Sequence, residues 1–242
     1  MSTASQDPTT VALVHGAFAD AGSWAPVVEL LLEADVAVTA LAVPLRGLIS
    51  DSAYVASALA QIPGPVLAVG HSYGGAVITN AASATTNVVG LVYVNAFAPE
   101  QDETLTDIEG SSRDSALGSA LLPAQYPAGT GDPATELYVN PASFYEVFAR
   151  DLPEKQAAVL GASQRPIAAS AFDERSGVPA WKKLRSWAVV ATGDKAAGTD
   201  VLRSMARRAG AETLEIDGSH VIMISQPEAV TDVILKALAS VG

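Results

Sequence analysis

At the end of an apolar run, the chain reads Gly70-His71-Ser72-Tyr73-Gly74-Gly75. The run itself, residues 65–69, has the length and composition of a buried strand, and a helix-forming stretch follows residue 75. A serine framed by glycines two residues before and two residues after it is typical of a nucleophile elbow, a sharp turn from strand to helix. Such a turn strains the serine backbone and leaves no room for side chains at the glycine positions. We therefore predict that Ser72 is a catalytic nucleophile.

The composition of the chain limits its class of function. Its 242 residues could form one large α/β domain or two small ones, and with 49% hydrophobic residues the chain can bury a substantial core. A net charge of −12 argues against nucleic acid and anionic membrane surfaces as partners. Because the chain has no cysteine, it has no disulfide, no thiolate nucleophile and no zinc–thiolate site. We expect neither a metal nor an organic cofactor.

The start of the chain is polar and lacks the basic and apolar regions of a targeting signal. No apolar run approaches the ~18 residues that a membrane-spanning helix needs. We therefore expect a cytoplasmic protein with no membrane association. The oligomeric state stays open, a homodimer included.

Apolar runs alternate with helical patterns through most of the chain. The predicted strands are 11–14, 36–43, 66–69, 88–94, 186–191 and 211–216. The predicted helices are 25–33, 51–61, 73–84, 200–209 and 228–240. We expect Ser50 or Asp51 to cap the second of these helices. This alternation predicts a mostly parallel sheet of about six strands flanked by helices on both faces.

The segment from 98 to 185 interrupts this alternation. It holds half of the aromatic residues of the chain, namely Tyr126, Tyr138, Phe144, Tyr145, Phe148, Phe172 and Trp181. No strand pattern of the earlier kind occurs there, and short helices are predicted over 142–149 and 154–163. We predict a helical cap inserted after the fourth strand, with the alternative of an independent interaction domain. Residues 1–242 would then form one domain, with its core at about 10–97 and 186–241.

The chain has three histidines from which Ser72 could receive its general base. His71 adjoins the serine, and the sharp turn points the two side chains apart. His15 ends the first strand, where it is better suited to bracing the following loop. His220 follows the last strand in a turn, Asp217-Gly218-Ser219-His220, that can carry its ring over the sheet edge. We therefore predict His220 as the base.

A carboxylate is expected between Ser72 and His220, in the chain order Ser, Asp or Glu, His that accompanies this elbow. Asp194 lies just past the strand 186–191, so its carboxylate can reach the pocket above the sheet. Asn95, at the end of the strand before the cap, cannot act as a carboxylate. Asp200 is the second candidate, although its position is more typical of a helix cap. We predict that Asp194 orients the His220 ring.

Acyl transfer at Ser72 also requires two preorganised donors for the oxyanion. We predict the backbone amides of Tyr73, at the helix start, and of Ala17, in the loop after the first strand. Phe18, Phe97 and Trp181 are candidates for an apolar pocket wall, although aromatic residues at such places are as often part of the core.

Three parts of the sequence resemble the small esterases of the α/β-hydrolase superfamily. These are Leu13-Val14-His15-Gly16-Ala17, Gly70-His71-Ser72-Tyr73-Gly74-Gly75, and the late Asp194 and His220. The chain is most similar to the subgroup of methylesterases, salicylate-ester hydrolases and hydroxynitrile lyases. This resemblance implies the α/β-hydrolase fold and covers both core segments, but it is poor in the cap.

Two positions distinguish activities within that subgroup. The lyases carry threonine after the first-strand histidine and lysine after the catalytic histidine, where this chain has Gly16 and Val221. Both departures favour hydrolysis of a small-molecule carboxylic ester. Two alternatives share the same triad: a ligand receptor with slow turnover, and a cofactor-free perhydrolase or haloperoxidase-like enzyme.

Overall fold

The computed structural model describes residues 7–129 and 131–242, so the prediction of a polar start lies partly outside the described residues. The strands are β1 (Thr10–Val14), β2 (Val38–Leu41), β3 (Val66–His71), β4 (Val88–Val94), β5 (Leu121–Tyr126), β6 (Ala134–Val139), β7 (Ile167–Ala168), β8 (Arg185–Ala191) and β9 (Glu212–Ile216). The first helices are α1 (Ala25–Glu33), α2 (Leu48–Ala60), α3 (Tyr73–Ala81), α4 (Leu105–Gly110), α5 (Leu117–Ala120) and α6 (Pro141–Phe148). The remaining helices are α7 (Glu154–Ser163), α8 (Ser170–Asp173), α9 (Thr199–Arg208), α10 (Ile222–Ser225) and α11 (Pro227–Val241).

The main sheet has six parallel strands in the order β2-β1-β3-β4-β8-β9, which confirms the predicted fold class. From β1 the chain adds β2 on one side, and it adds β3, β4, β8 and β9 on the other. The strand order therefore reverses between β1 and β3, and a crevice opens beyond the carboxyl ends of these two strands. Strand β3 is buried along its whole length, as its continuous apolar sequence predicts.

The start of α2 differs from the prediction that Ser50 or Asp51 caps it. The helix begins at Leu48 after Gly47, and no side chain caps it. Asp51 lies inside the first turn and is fully buried. Its carboxylate accepts hydrogen bonds from the Arg46 amide and the Tyr73 hydroxyl, which satisfy it in the absence of solvent. The cap prediction is wrong because a distant partner, Tyr73, holds this carboxylate.

The segment between β4 and β8 contains the two predicted helices, α6 and α7, but it is not purely helical. Strands β5, β6 and β7 form a separate antiparallel sheet in that order. Strand β5 was missed because it is an edge strand interrupted by Pro123, and β7 has only two residues. Among the residues that the structure describes, no helix combines the length and the apolar character needed to cross a bilayer.

Candidate active site

Ser72 occupies the turn between β3 and α3. Its backbone has φ 51° and ψ −123°, a left-handed conformation that is strained for a residue with a side chain. The neighbouring glycines make the turn possible. A Cβ atom on Gly74 would lie 2.6 Å from the His15 carbonyl oxygen, and one on Gly70 would lie 2.6 Å from the Gly74 carbonyl oxygen. These contacts are with backbone that cannot move aside, so the elbow requires glycine at both positions.

Ser72, His220 and Asp194 form one chain of hydrogen bonds. The Ser72 Oγ lies 2.9 Å from His220 Nε2, and His220 Nδ1 lies 2.7 Å from Asp194 Oδ2. The side chains of His220 and Asp194 are 1% and 0% exposed, so water does not compete for the bond between them. This arrangement favours the tautomer in which Nδ1–H donates to Asp194 and the Nε2 lone pair faces the Ser72 hydroxyl.

Asp194 is held by its own loop. Its Oδ1 atom accepts hydrogen bonds from the amides of Ala196 and Ala197 at 2.9 and 3.0 Å, which leaves Oδ2 for His220. The second candidate, Asp200, lies in the first turn of α9, and its carboxylate accepts from the Ser112 hydroxyl and the Arg113 amide instead. The structure therefore brings Asp194, and not Asp200, to the His220 ring.

The other two histidines brace the backbone. His15 Nε2 accepts from the Val43 amide at 2.9 Å, and its Nδ1 lies 2.8 Å from the Gly16 carbonyl oxygen. Burial lowers the pKa of His15 to about 4, so its ring is neutral at pH 7. His71 Nε2 donates to the His220 carbonyl oxygen at 3.0 Å, and burial lowers its pKa well below the usual value.

Asn95 holds the turn that carries His220, a role that the sequence did not reveal. Its side-chain amide donates to the carbonyl oxygens of Ser219 and His220 at 2.9 and 3.1 Å, and its Oδ1 accepts from the Ala191 amide at 2.7 Å. The buried Asn95 therefore connects the ends of β4 and β8 to the His220 turn. The sequence signal that could have suggested this role is a polar residue, Asn95, placed directly after the apolar run 88–94.

The two predicted oxyanion donors lie on either side of the crevice. Tyr73 is the first residue of α3, where backbone amides have no helical partner and the helix dipole favours negative charge. No hydrogen bond from the amide of Tyr73 or Ala17 to another group is found within residues 7–129 and 131–242. The Tyr73 side chain takes no part in this pair of donors, since its hydroxyl donates to Asp51 Oδ2 at 2.8 Å. Burial raises the pKa of both the Tyr73 hydroxyl and the Asp51 carboxyl.

A cavity of about 240 Å³ lies beside Ala17 and Phe18. Its apolar walls include Phe18, Phe144, Phe148, Leu160, Met223 and Ile224. Phe148 also packs edge-on against the His220 ring at a centroid distance of 4.7 Å, and it stacks with Phe144 at 5.1 Å. The cavity is thus a mostly apolar space that is lined by Ala17, one candidate oxyanion donor, and that adjoins the candidate base through Phe148; Ser72 and His220 are not among its lining residues.

Phe97 and Trp181, the other predicted wall residues, are not among the residues that line this cavity. Phe97 is buried beneath the elbow, where its amide donates to the Ser72 carbonyl oxygen at 3.1 Å. The Trp181 indole N–H donates to the Pro99 carbonyl oxygen, and its ring lies beside Lys182 and Arg208. Of the three predicted aromatic residues, the structure places only Phe18 at this cavity.

No group of three or more His, Asp or Glu side chains within the described ranges is arranged to hold a metal ion.

Comparison with known proteins identifies the family. The model of the alpha/beta hydrolase family matches residues 11–233. The chain belongs to the alpha/beta hydrolase family. No curated protein sequence matches the chain significantly.

Several solved structures share the fold of this alpha/beta hydrolase. Polyneuridine aldehyde esterase has a TM-score of 0.80 at 20% identity, with 95% of this chain and 99% of that chain covered. A variant of tomato methylketone synthase I has a TM-score of 0.77 at 22% identity, with 97% and 99% covered. A methylesterase from Arabidopsis has a TM-score of 0.77 at 19% identity, with 96% and 99% covered. At these identities the likeness establishes a common fold, the one that the sequence predicts.

Proposed function

We propose that the chain is a serine carboxylesterase that hydrolyses small or medium-sized esters through an acyl-enzyme on Ser72. The observation that carries this proposal is the buried hydrogen-bond chain from Ser72 through His220 to Asp194, with distances of 2.9 and 2.7 Å. Membership of the alpha/beta hydrolase family supports it, as do structural neighbours that include an esterase and a methylesterase.

Acylation begins when the Ser72 Oγ attacks the ester carbonyl carbon and His220 Nε2 takes the hydroxyl proton. The carbonyl oxygen becomes an oxyanion, which the amides of Ala17 and Tyr73 stabilise. The Asp194 carboxylate stabilises the imidazolium without taking its proton. When the carbon–oxygen bond to the alcohol breaks, His220 gives its proton to the leaving alkoxide, and the acyl group stays on Ser72.

Deacylation repeats these steps with water as the nucleophile. His220 Nε2 takes a proton from water, the hydroxide oxygen attacks the acyl carbon, and the bond to Ser72 Oγ breaks. The serine recovers its proton from His220, and a carboxylic acid is released. The apolar cavity beside Phe18 and Phe148 accommodates an apolar group of the ester.

Two positions favour hydrolysis over cyanide chemistry. Val221 follows His220 and is buried, so it places an uncharged side chain next to the base. At Gly16, an added Cβ atom would lie 2.8 Å from the Ser72 Cβ atom, so a larger residue there would require the elbow to shift.

The proposal is tested with a panel of p-nitrophenyl esters, comparing the wild type with Ser72→Ala. Ser83→Ala is the control, because the Ser83 hydroxyl donates to the Val178 carbonyl oxygen on the exposed side of the cap. We expect steady turnover by the wild type and the control and none by Ser72→Ala. Equal rates in Ser72→Ala would refute the mechanism.

A single turnover with slow release would favour the receptor alternative, and peracid formation from peroxide and a carboxylic acid would favour the perhydrolase.

A further inference from the structure

A short part of the cap is bonded directly to the loop that carries Asp194. We call residues 112–116 the clasp segment and residues 192–198 the acid loop. The Ala116 amide donates to the Lys195 carbonyl oxygen at 2.8 Å, and the Ser115 hydroxyl donates to the Ala196 carbonyl oxygen at 2.7 Å. The clasp segment therefore contacts the acid loop through two consecutive carbonyl groups.

These two carbonyl groups belong to the peptide units that hold the Asp194 carboxylate. The Lys195 carbonyl shares a peptide unit with the Ala196 amide, and the Ala196 carbonyl shares one with the Ala197 amide. Both amides donate to Asp194 Oδ1, at 2.9 and 3.0 Å. A hydrogen bond accepted by a carbonyl polarises its peptide and strengthens the bond that its N–H donates. The clasp segment thus acts on Asp194 through one intervening peptide on each path.

The Ser115 hydroxyl has one proton and two oxygen neighbours. It lies 2.7 Å from the Ala196 carbonyl oxygen, which can only accept, and 3.1 Å from Glu109 Oε1. If Ser115 donates to Ala196, the contact with Glu109 becomes a hydrogen bond only when Glu109 carries the proton. An ionised Glu109 would instead attract the Ser115 proton and leave the Ala196 carbonyl oxygen without this donor.

The surroundings of Glu109 favour its protonated form more than water would. Burial raises the pKa of Glu109 to about 7, and the charge of Asp194 adds to this, while the Ser115 hydroxyl and the charge of His220 act in the opposite direction. Glu109 and Asp173 of α8 line a second cavity, separate from the one beside Phe18. No salt bridge to Glu109 is formed within the part of the chain that the structure describes. Arg113 of the clasp segment and Lys195 of the acid loop are exposed.

We propose that Ser115 and Glu109 are positioning residues for Asp194, and that the protonated Glu109 carboxyl directs the Ser115 hydroxyl onto the acid loop. The inference rests on the proposed function, since it takes Asp194 as the residue that orients the catalytic base. Loss of the Glu109 proton turns the hydroxyl away and loosens the peptide that holds Asp194 Oδ1. The cap thereby makes the precision of the triad depend on pH near neutrality.

The test compares Ser115→Ala, Glu109→Gln and a control, Ser111→Ala, whose hydroxyl donates to the Ile108 carbonyl oxygen. Glu109→Gln keeps a donor toward Ser115 but cannot ionise. We expect Ser115→Ala to lower kcat about threefold to tenfold, as one ordinary hydrogen bond allows, with KM unchanged. The ratio of wild-type kcat to Glu109→Gln kcat should fall between pH 6 and pH 8, while the Ser111→Ala ratio stays flat, because Glu109 can ionise in this interval and the amide of Glu109→Gln cannot, whereas every other titrating group is common to both proteins.

A second readout does not depend on turnover. Because the His220 Nδ1 proton is held by Asp194 at 2.7 Å, we expect it to give a far-downfield proton NMR resonance. This resonance should move in Ser115→Ala and lose one pH-dependent shift in Glu109→Gln. Unchanged kcat and resonance in Ser115→Ala would overturn the inference, as would a change in KM alone, which would indicate substrate contact. If the wild type hydrolysed no ester, the proposed function would fail, and the resonance would still decide the positioning role. Absence of the resonance in the wild type would overturn both.

Discussion

The sheet core and the cap contribute to the same site by different means. The core uses backbone that has no freedom to move, as at Gly74, where an added Cβ atom would contact the carbonyl oxygens of Val14 and His15. The cap uses short elements joined by hydrogen bonds and ion pairs, many of them partly exposed, such as Arg208 with Glu103. We therefore expect substitutions in the core to abolish catalysis or folding, whereas substitutions in the cap should change the catalytic rate and the substrate selectivity.

The largest expected effect separates the two carboxylates near the acid loop. Asp194→Asn should lower kcat by about 10⁴-fold, because the amide cannot hold the His220 tautomer that accepts the Ser72 proton. Asp200→Asn, which removes charge from the contact with Arg113 and Ser112, should lower kcat by no more than about tenfold. The measurement is ester hydrolysis at saturating substrate, and the reverse ranking would assign the triad acid to Asp200.

Two Gly→Ala substitutions compare the packing of core and cap. Gly74→Ala should lower the free energy of unfolding by about 3 kcal/mol, since its Cβ atom would overlap fixed backbone oxygens. Gly118→Ala, in α5 of the cap, has nothing within 4 Å of the added atom and should be neutral or stabilising by up to about 1 kcal/mol. Urea unfolding measures both. Equal effects would mean that the elbow is no more rigid than the cap.

A substitution in α7 tests the cavity beside His220. Leu160 lines that cavity, whereas the neighbouring Val159 is 59% exposed. Leu160→Trp should fill part of the space and lower kcat/KM for a long-chain ester about tenfold relative to an acetate ester. Val159→Trp, the matched control, should leave this ratio unchanged. A constant ratio in Leu160→Trp would show that the ester's apolar group lies elsewhere.

The smallest effect concerns an ion pair that joins the cap to α9. The Arg208 guanidinium contacts both oxygens of Glu103 at 2.6 Å, but the two side chains are 35% and 32% exposed. Arg208→Gln should therefore lower the free energy of unfolding by less than about 1 kcal/mol, and by less still at high salt. A loss of several kcal/mol, measured by urea unfolding, would show that the cap is anchored as firmly as the core.

The predictability of the fold follows the same division. Most core strands could be predicted because they are nearly continuous apolar runs, although β9 contains two glutamates and is exposed along most of its length. The elbow could be predicted because Gly70 and Gly74 have a steric cause in the local sequence. The sheet of the cap could not, because its edge strand β5 contains Pro123 and mixes part-buried and exposed residues without a regular alternation. Strands of this kind form through their partner and show little pattern of their own.

The candidate site was predictable only where chain order restricts the choice. Three histidines and a fixed order of Ser, acid and base were enough to select His220 and to rank Asp194 above Asp200. The supports of the site were not predictable. Asn95 contacts a turn 124 residues later, and Ser115 contacts Ala196, which lies 81 residues later. Local sequence patterns do not predict contacts between segments so far apart in the chain.

The central claim is that Ser72 is a nucleophile activated by His220, and covalent labelling tests it most directly. A fluorophosphonate probe reacts with an activated serine and stays attached, so intact-mass and peptide mass spectrometry can locate it. We expect one phosphonyl group on the peptide that contains Ser72, much slower labelling in His220→Ala and none at that peptide in Ser72→Ala. Hydrolysis of esters by a protein whose Ser72 remains unlabelled, or labelling at the same rate in His220→Ala, would contradict it.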